Sequence, residues 1–226
     1  MKIGVITYDV PHFKTQNLIF KLISKKYKVK IIITKFKKFK KRNVFLKHRP
    51  FQFHGPNPYE LAKNLKLDIY KIQQIKKLKN IDFFLIGGCG LLEKKHIIKN
   101  KIINCHPGII PQTRGLDSLK WAILKNHPVG NSLHFVDSSV DNGRVIGHKL
   151  TPIFKNDKFN DLSSRHYKME IDMLADFENY LKKPKKNILK NILYFEPNKR
   201  MNITNEKKMI KVFNNLKKTK NPLNYF

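Results

Sequence analysis

Asn104, His106 and Asp141 are the residues of this sequence whose types and spacing best suit chemistry. An amide can donate a hydrogen bond to an oxygen that gains negative charge, and an imidazole can carry a proton between reacting atoms. A carboxylate beside the imidazole favours the charged ring and fixes its orientation. No phosphate-cradling loop, metal cluster or serine nucleophile elsewhere in the sequence competes with this set, so we expect no metal. The three residues predict a site that stabilises an oxyanion and relays a proton.

Asn104 and His106 follow an apolar run, residues 101–103, that has the composition of a buried strand. Side chains two positions apart on a strand share a face, so both point one way and Cys105 points the other. Pro107 cannot donate to a sheet, which places the pair at the carboxyl edge where open α/β sheets bind ligands. Two ordinary interpretations compete: the pair could only satisfy backbone groups at a strand end, and Asp141 could only form a turn.

A longer motif surrounds these residues and resembles the catalytic core of the 10-formyltetrahydrofolate-dependent formyltransferases. That family includes glycinamide ribonucleotide transformylase, methionyl-tRNA formyltransferase and the amino-sugar N-formyltransferases. Gly108 is a departure, because the family usually has a serine there. The segments that carry the resemblance are Asn104-Cys105-His106-Pro107-Gly108-Ile109-Ile110-Pro111, Arg114-Gly115-Leu116-Asp117, His134-Phe135-Val136-Asp137 and Asp141-Asn142-Gly143, the last at the family's distance from His106.

The resemblance implies direct transfer of a formyl group from N10-formyltetrahydrofolate to a primary amine. Asn104 would donate to the oxyanion of the tetrahedral intermediate, and His106 would relay the proton from the amine to the folate nitrogen. Asp141 would orient His106. The resemblance also implies two loop segments against the folate pterin, with the wall residues Gly88, Gly90, Leu91, Leu92, Val136, Asp137 and Ser139.

The segment Gly87-Gly88-Cys89-Gly90 has two competing interpretations of its own. It follows a predicted strand and could be a dinucleotide-binding loop, but Glu93 stands where the third glycine of that motif belongs. It could also be a plain strand-to-helix turn. We expect the folate wall and not a nicotinamide or flavin site.

The sequence contains fewer indications of the acceptor amine than of the formyl donor. After the first predicted strand, residues 8–13 contain no glycine, so the phosphate-binding loop of the purine transformylase is missing. Too few residues follow position 181 for the C-terminal barrel of methionyl-tRNA formyltransferases. By elimination we expect a nucleotide-linked amino sugar, with a purine-type acceptor as the alternative. The resemblance gives Arg114 and Glu170 as substrate-binding residues, Glu170 as a second acceptor for the amine proton.

Composition gives a strongly basic chain with a net charge of +31 over 226 residues. Only six of the 47 basic residues are arginine, and lysine is a residue of AT-rich codons, so genome bias and a functional basic surface both account for the charge. The alternative to an enzyme is a non-catalytic basic α/β protein that binds RNA or anionic surfaces. We expect a small amine as partner, phosphorylated or nucleotide-linked, and neither a membrane nor a nucleic acid. A homodimer stays open.

The elements that must position these residues alternate between strand and helix patterns, which predicts an α/β fold. We expect a Rossmann-like, mostly parallel twisted sheet with helices on both faces, including a helix over residues 116–124 and a long helix over residues 159–181. Residues 1–181 would form the catalytic domain, and residues 182–226 a short basic C-terminal extension that could dimerise, complete the acceptor site or bind nucleic acid. Its apolar residues could dock on the core: Ile188, Leu189, Ile192, Leu193, Tyr194 and Phe195. Two cysteines and no apolar run of membrane-spanning length predict a cytoplasmic protein.

Overall fold

A computed structural model of the chain describes residues 1–37, 44–182 and 195–218. Its centre is a seven-stranded sheet with the order β3-β2-β1-β4-β5-β6-β7. The first five strands in the chain pair in parallel, whereas β5–β6 and β6–β7 are antiparallel. The predicted mostly parallel sheet is confirmed. The strands are β1 (Lys2–Tyr8), β2 (Lys28–Thr34), β3 (Ile69–Lys71), β4 (Phe83–Ile86), β5 (Ile102–His106), β6 (Gly130–Phe135) and β7 (Val145–Leu150).

Helices cover both faces of this sheet, as expected for strands that are apolar on both sides. Side chains of β1 show the division: Val5 packs in one buried cluster with helix α1 and helix α4, whereas Ile6 packs in a second cluster under a short 3-10 helix, Ile72–Lys77. The helices are α1 (Phe13–Ser24), α2 (Pro58–Leu65), α3 (Ser118–Leu124), α4 (Phe159–Ala175), α5 (Phe177–Lys182) and α6 (Ile203–Leu216), with a further 3-10 turn at Lys94–His96.

The elements differ from the sequence expectation at three places. The strand expected at residues 101–103 continues to His106, so the polar pair lies within β5. The helix expected over residues 116–124 begins only at Ser118, because Gly115 and Asp117 have positive φ angles of 86° and 53°. The single helix expected over residues 159–181 is divided after Ala175 into α4 and α5.

The described part of the C-terminal segment, residues 195–218, packs against the body of the protein. Met209 and Phe213 of α6 are buried in a cluster with Leu119 and Ile123 of α3. Most of the apolar residues that we expected to dock, Ile188 to Tyr194, lie outside the described residues. None of the described helices is both long and apolar enough to cross a membrane.

Candidate active site

β5 carries Asn104 and His106 in the arrangement that strand periodicity predicts. Cys105 between them is buried in the cluster formed with α1 and α4, on the opposite face of the sheet. The neighbouring strand β6 runs antiparallel and sets His134 opposite Asn104 and Ser132 opposite His106. The polar face of this strand pair is therefore built from three side chains with donor and acceptor nitrogens.

His106 has a partner at each ring nitrogen. Nδ1 lies 3.2 Å from the Asp141 carboxylate, and Nε2 lies 2.9 Å from the Thr113 carbonyl oxygen and 3.0 Å from Ser118 Oγ. The carbonyl can only accept, and the Ser118 hydroxyl donates to another carbonyl, that of Gly115. Nε2 is therefore a donor. With a carboxylate at Nδ1, this arrangement suits an imidazolium that carries a proton on each nitrogen.

Asp141 lies in the loop between β6 and β7, in the turn that its sequence predicts, with a φ of 46°. Its Oδ2 accepts a hydrogen bond of 3.0 Å from the Gly115 N–H. Burial by itself would raise the pKa of the Asp141 carboxyl, but the charge and hydrogen bond of His106, with smaller effects of His134 and the Gly115 N–H, hold it well below its usual range. Asp141 therefore both forms the turn and contacts His106.

His134 orients the amide of Asn104. Its Nδ1 lies 2.9 Å from the Phe135 carbonyl oxygen and must carry a proton to donate there. Burial lowers the pKa of His134 to about 4, so the ring is neutral near pH 7 and its Nε2 keeps a lone pair. That lone pair faces Asn104 Nδ2 at 3.4 Å and can accept from it. Asn104 is thus held with its amide nitrogen toward the site.

Gly108, the departure from the family pattern, lies directly beside His106. A Cβ on this residue would stand 2.3 Å from the Thr113 carbonyl oxygen and 2.9 Å from His106 Nε2. Such a contact would displace the carbonyl that accepts from the ring. The hydroxyl next to His106 comes from Ser118 instead.

The residues expected to line a folate pocket lie in two loops, at residues 87–92 after β4 and residues 136–141 after β6. These two strands flank β5 in the sheet, so both loops border the strand that carries Asn104. Leu92 and Val136, one from each loop, pack against the same buried cluster. The two loops are therefore supported by the same apolar cluster, beside Asn104 and His106.

The loop after β4 is exposed to solvent around Gly90 and Leu91. Nothing lies within 4 Å of the position where a Cβ on Gly90 would stand, and the Leu91 side chain is 82% exposed. Gly88 instead abuts the ring of His12. In the second loop, Asp137 Oδ1 accepts from the Ser139 N–H at 2.9 Å, which shapes the start of the turn. An apolar side chain beside open backbone is a surface on which a flat ring can lie.

Arg114 is buried beside the loop that carries Asp141. Its Nε donates to the carbonyl oxygens of Val140 and Asp141 at 3.1 and 3.0 Å, and its Nη2 donates to Val140 as well. In this conformation the guanidinium holds the backbone of the loop that carries Asp141. Its expected contact with substrate stays a prediction.

Glu170 of α4 lies at the centre of a buried ionic cluster, at 1% exposure. Lys14 of α1 donates to it at 2.7 Å, and Arg49 donates to both of its oxygens at 3.0 and 3.1 Å. Burial would raise the pKa of Glu170, but the two cations outweigh burial and lower it to about 2. The carboxylate is held as an anion, and its expected role as a proton acceptor stays a prediction.

Four residues at or beside the site had no role in the prediction from the sequence: His134, Ser118, Lys14 and Arg49. His134 faces Asn104 in the strand register, which a confident antiparallel pairing of β5 with β6 would have shown. Lys14 and Arg49 meet Glu170 across 156 and 121 positions of the chain, and no local pattern marks them. Among the described residues, no group of three or more His, Cys, Asp or Glu side chains could hold a metal ion.

Comparisons with known proteins identify the family to which the chain is similar. The family model described as "Formyl transferase" matches residues 1–177. The phosphoribosylglycinamide formyltransferase of Bacillus subtilis is 34% identical over 127 residues, which are 54% of this chain and 64% of that protein. The methionyl-tRNA formyltransferase of Fusobacterium nucleatum is 27% identical over 190 residues, which are 79% and 59%. The matched regions thus span less than two thirds of either relative.

A solved structure with the same fold is the N-formyltransferase from Helicobacter canadensis, which was determined with folinic acid and dTDP-3-aminofucose. It superposes with a TM-score of 0.62 at 16% sequence identity and covers 94% of this chain and 80% of its own. At that identity the likeness concerns the fold. The family model covers most of the chain, and the chain therefore belongs to the formyl transferase family.

Proposed function

We propose that this protein transfers a formyl group from N10-formyltetrahydrofolate to a primary amine. The observation that carries the proposal is the set of contacts at the end of β5: the Asp141 carboxylate 3.2 Å from His106 Nδ1, beside an Asn104 amide oriented by His134. A family match over residues 1–177 supports the same reaction class.

The reaction assigns one task to each of these groups. The neutral amine attacks the formyl carbon, a C–N bond forms, and the formyl oxygen gains negative charge. Asn104 donates to that oxygen, and the nearby charge of His106 stabilises it further. The bond from the formyl carbon to N10 of the folate then breaks as the His106 imidazolium gives a proton to N10, and the neutral ring takes one proton from the attacking amine in return. Asp141 keeps the ring oriented throughout.

The donor site has the features that a reduced pterin requires. Leu91 and the open backbone at Gly90 offer an apolar surface, while Asp137 and Ser139 supply polar atoms in the facing loop. When bound there, the donor supplies the formyl group and the leaving nitrogen. The residues of this chain supply the pocket walls, the oxyanion donor and the proton relay.

For the acceptor we propose an amino sugar linked to a nucleotide. Aromatic side chains of Tyr8, Phe36 and Phe53 pack edge to face with ring centroids 5.1 and 5.4 Å apart, at the carboxyl ends of β1 and β2. A glycine loop that cradles a phosphate would need this space. An aromatic wall suits a sugar or base ring better than a phosphate.

Arg49 is suited to the anionic part of such an acceptor. Its side chain is 25% exposed, while Nη2 donates to Glu170. A guanidinium that reaches the surface binds phosphate oxygens well. Arg114, whose Nε and Nη2 donate to the loop backbone, stays the second candidate for this role.

Glycinamide ribonucleotide is the second candidate acceptor. It is favoured by the Bacillus subtilis relative, a phosphoribosylglycinamide formyltransferase that is 34% identical over the matched region. The same Arg49 donor could meet its single phosphate. The two candidates differ in whether a ring or a phosphate occupies the end of β1.

Formyl release decides between the candidates. The protein is mixed with 10-formyltetrahydrofolate and, in separate reactions, with glycinamide ribonucleotide and a panel of amino-sugar nucleotides, and the absorbance change on formation of tetrahydrofolate is followed. Turnover of an amino-sugar nucleotide supports the proposal. Robust turnover of glycinamide ribonucleotide alone replaces it with the second candidate. If no amine is formylated while RNA or anionic vesicles bind tightly, the protein is a binding protein on this scaffold.

A further inference from the structure

The C-terminal segment touches the turn that holds the catalytic carboxylate. Asn198 and Gly115 form a short parallel bridge, in which the Asn198 N–H donates to the Arg114 carbonyl at 2.8 Å and the Leu116 N–H donates to the Asn198 carbonyl at 2.8 Å. The Asn198 side chain adds a second bond to the same Arg114 carbonyl, with Nδ2 at 2.9 Å. One carbonyl oxygen therefore accepts from both the backbone and the side chain of Asn198.

The Arg114 carbonyl belongs to the same peptide group as the Gly115 N–H, which donates to Asp141 at 3.0 Å. In a planar trans peptide the C=O and the N–H point in opposite directions. Asn198 therefore holds one end of this peptide while the other end holds the carboxylate. Hydrogen bonds to the carbonyl also polarise the N–H and strengthen its bond to Asp141.

The backbone around this peptide leaves no room for it to turn. Gly115 has a φ of 86°, and a Cβ on it would lie 2.5 Å from the Asn198 carbonyl oxygen. The segment that presents Asn198 is itself anchored: Glu206 and Lys120 form an ion pair at 1% and 0% side-chain exposure, and the Met201 N–H donates to Asp117 at 2.9 Å. The contact is thus part of a half-buried junction that is anchored by buried residues on both sides.

We propose that Asn198 is a positioning residue for the transfer reaction: by fixing the Arg114–Gly115 peptide, it holds Asp141 against His106. The C-terminal segment then belongs to the working site, although none of its described residues contacts the three catalytic side chains in the hydrogen bonds and ion pairs above. This inference rests on the proposed function, in which Asp141 and His106 act on the reacting atoms.

Two substitutions separate the two hydrogen bonds of the Asn198 side chain. Asn198→Asp keeps an acceptor for Lys125 Nζ, which now donates to Oδ1 at 2.8 Å, but sets an oxygen against the Arg114 carbonyl in place of the donor. Lys125→Met is the matched control, because it removes the other bond together with the cation–π contact of Nζ, and keeps an apolar stem on the Trp121 ring. A third variant, Asn198→Ala, removes both side-chain bonds without adding repulsion.

We expect Asn198→Asp to lower kcat by about tenfold or more and Asn198→Ala by about threefold, because a peptide hydrogen bond is lost or opposed. KM for the formyl donor should stay within about twofold, and Lys125→Met should match the wild type in both constants. A second measurement follows the acid side of the kcat profile. A carboxyl with a weakened N–H donor has a higher pKa, so kcat of Asn198→Asp should fall at a higher pH than that of the wild type.

The outcomes distinguish this inference from the proposed function. Unchanged kcat and pH profile in Asn198→Asp, with only a lower melting temperature, would overturn the positioning role. A loss in Lys125→Met equal to that in Asn198→Asp would also overturn it, because the Arg114 bond would then not be the cause. If Asp141→Asn and His106→Ala themselves keep wild-type kcat, the proposed function fails instead.

Discussion

Asp141 and Glu170 are both carboxylates beside basic groups, yet their surroundings differ. Asp141 is 16% exposed and faces one imidazole, a group that can pass a proton between reacting atoms. Glu170 is sealed at 1% exposure between the cationic side chains of Lys14 and Arg49. The first arrangement suits a proton relay, and the second suits a fixed anion that binds α1, α4 and the Arg49 segment together.

This difference shows why a carboxylate group has two roles in the molecule. Protonation of a buried carboxylate that lies between two cations is unfavourable in free energy, because the attraction to both cations is lost. Such a carboxylate contributes mainly to structure. A partly exposed carboxylate with a titrating partner can respond to a reaction next to it. Four predictions test the contrast.

Glu170→Gln should have the largest effect on stability. It leaves Lys14 buried without its anion, and removing one partner of a buried ion pair costs about 3 kcal/mol or more. We expect a clear drop in the free energy of unfolding by urea denaturation, with kcat measured well below the melting temperature reduced by less than about tenfold. Asp141→Asn is the counterpart, with a small loss of stability and a large loss of kcat. The reverse pattern would show that the two roles are assigned the wrong way round.

His106→Ala and Asn104→Ala should each lower kcat by about a hundredfold or more, since both side chains act on charge that develops during transfer. KM for the formyl donor should change little, because neither residue lies in the two loops, residues 87–92 and 136–141, that we expect to line the folate pocket. Steady-state assays at saturating donor measure both constants. Wild-type kcat in either variant would remove that residue from the reaction.

Arg49→Lys tests whether the second region also serves the acceptor. The lysine keeps a cation for Glu170 but has no guanidinium fork, so we expect KM for the acceptor to rise by about tenfold while the donor KM stays the same. Raising the salt concentration should weaken acceptor binding in both proteins, because both side chains carry the charge that salt screens. Equal acceptor KM values would restrict Arg49 to its structural pairing.

The smallest effect concerns His134. Burial holds its folded pKa at about 4, below the value near 6.5 of an unfolded histidine. A lowered folded pKa gives stability that is fully present above pH 6.5 and is lost as the pH falls toward 4, at up to about 1.4 kcal/mol per pH unit. His134→Gln, which keeps an acceptor for Asn104, should flatten this part of the stability profile. Parallel profiles for the two proteins between pH 6.5 and 4 would contradict the neutral, buried ring.

Much of the fold was visible in the sequence because strand and helix periods are local. The alternation of elements predicted the sheet and the helices on both of its faces. The spacing of Asn104, His106 and Asp141 predicted that these three residues lie together. The division of the last long helix was not visible, since Phe177 continues the buried apolar pattern of α4 across the break. The start of α3 at Ser118 depends on left-handed backbone at Gly115 and Asp117, which no apolar period records.

The sequence by itself determined which side chains share a face of β5, because alternation follows from the covalent geometry of an extended chain. It also determined that a polar turn follows at the distance from which Asp141 can return to His106. Only the tertiary structure decided that Lys14 and Arg49 pair with Glu170, and that Asn198 holds the peptide that holds Asp141. Those contacts join residues more than eighty positions apart, and their geometry exists only once the whole core has packed.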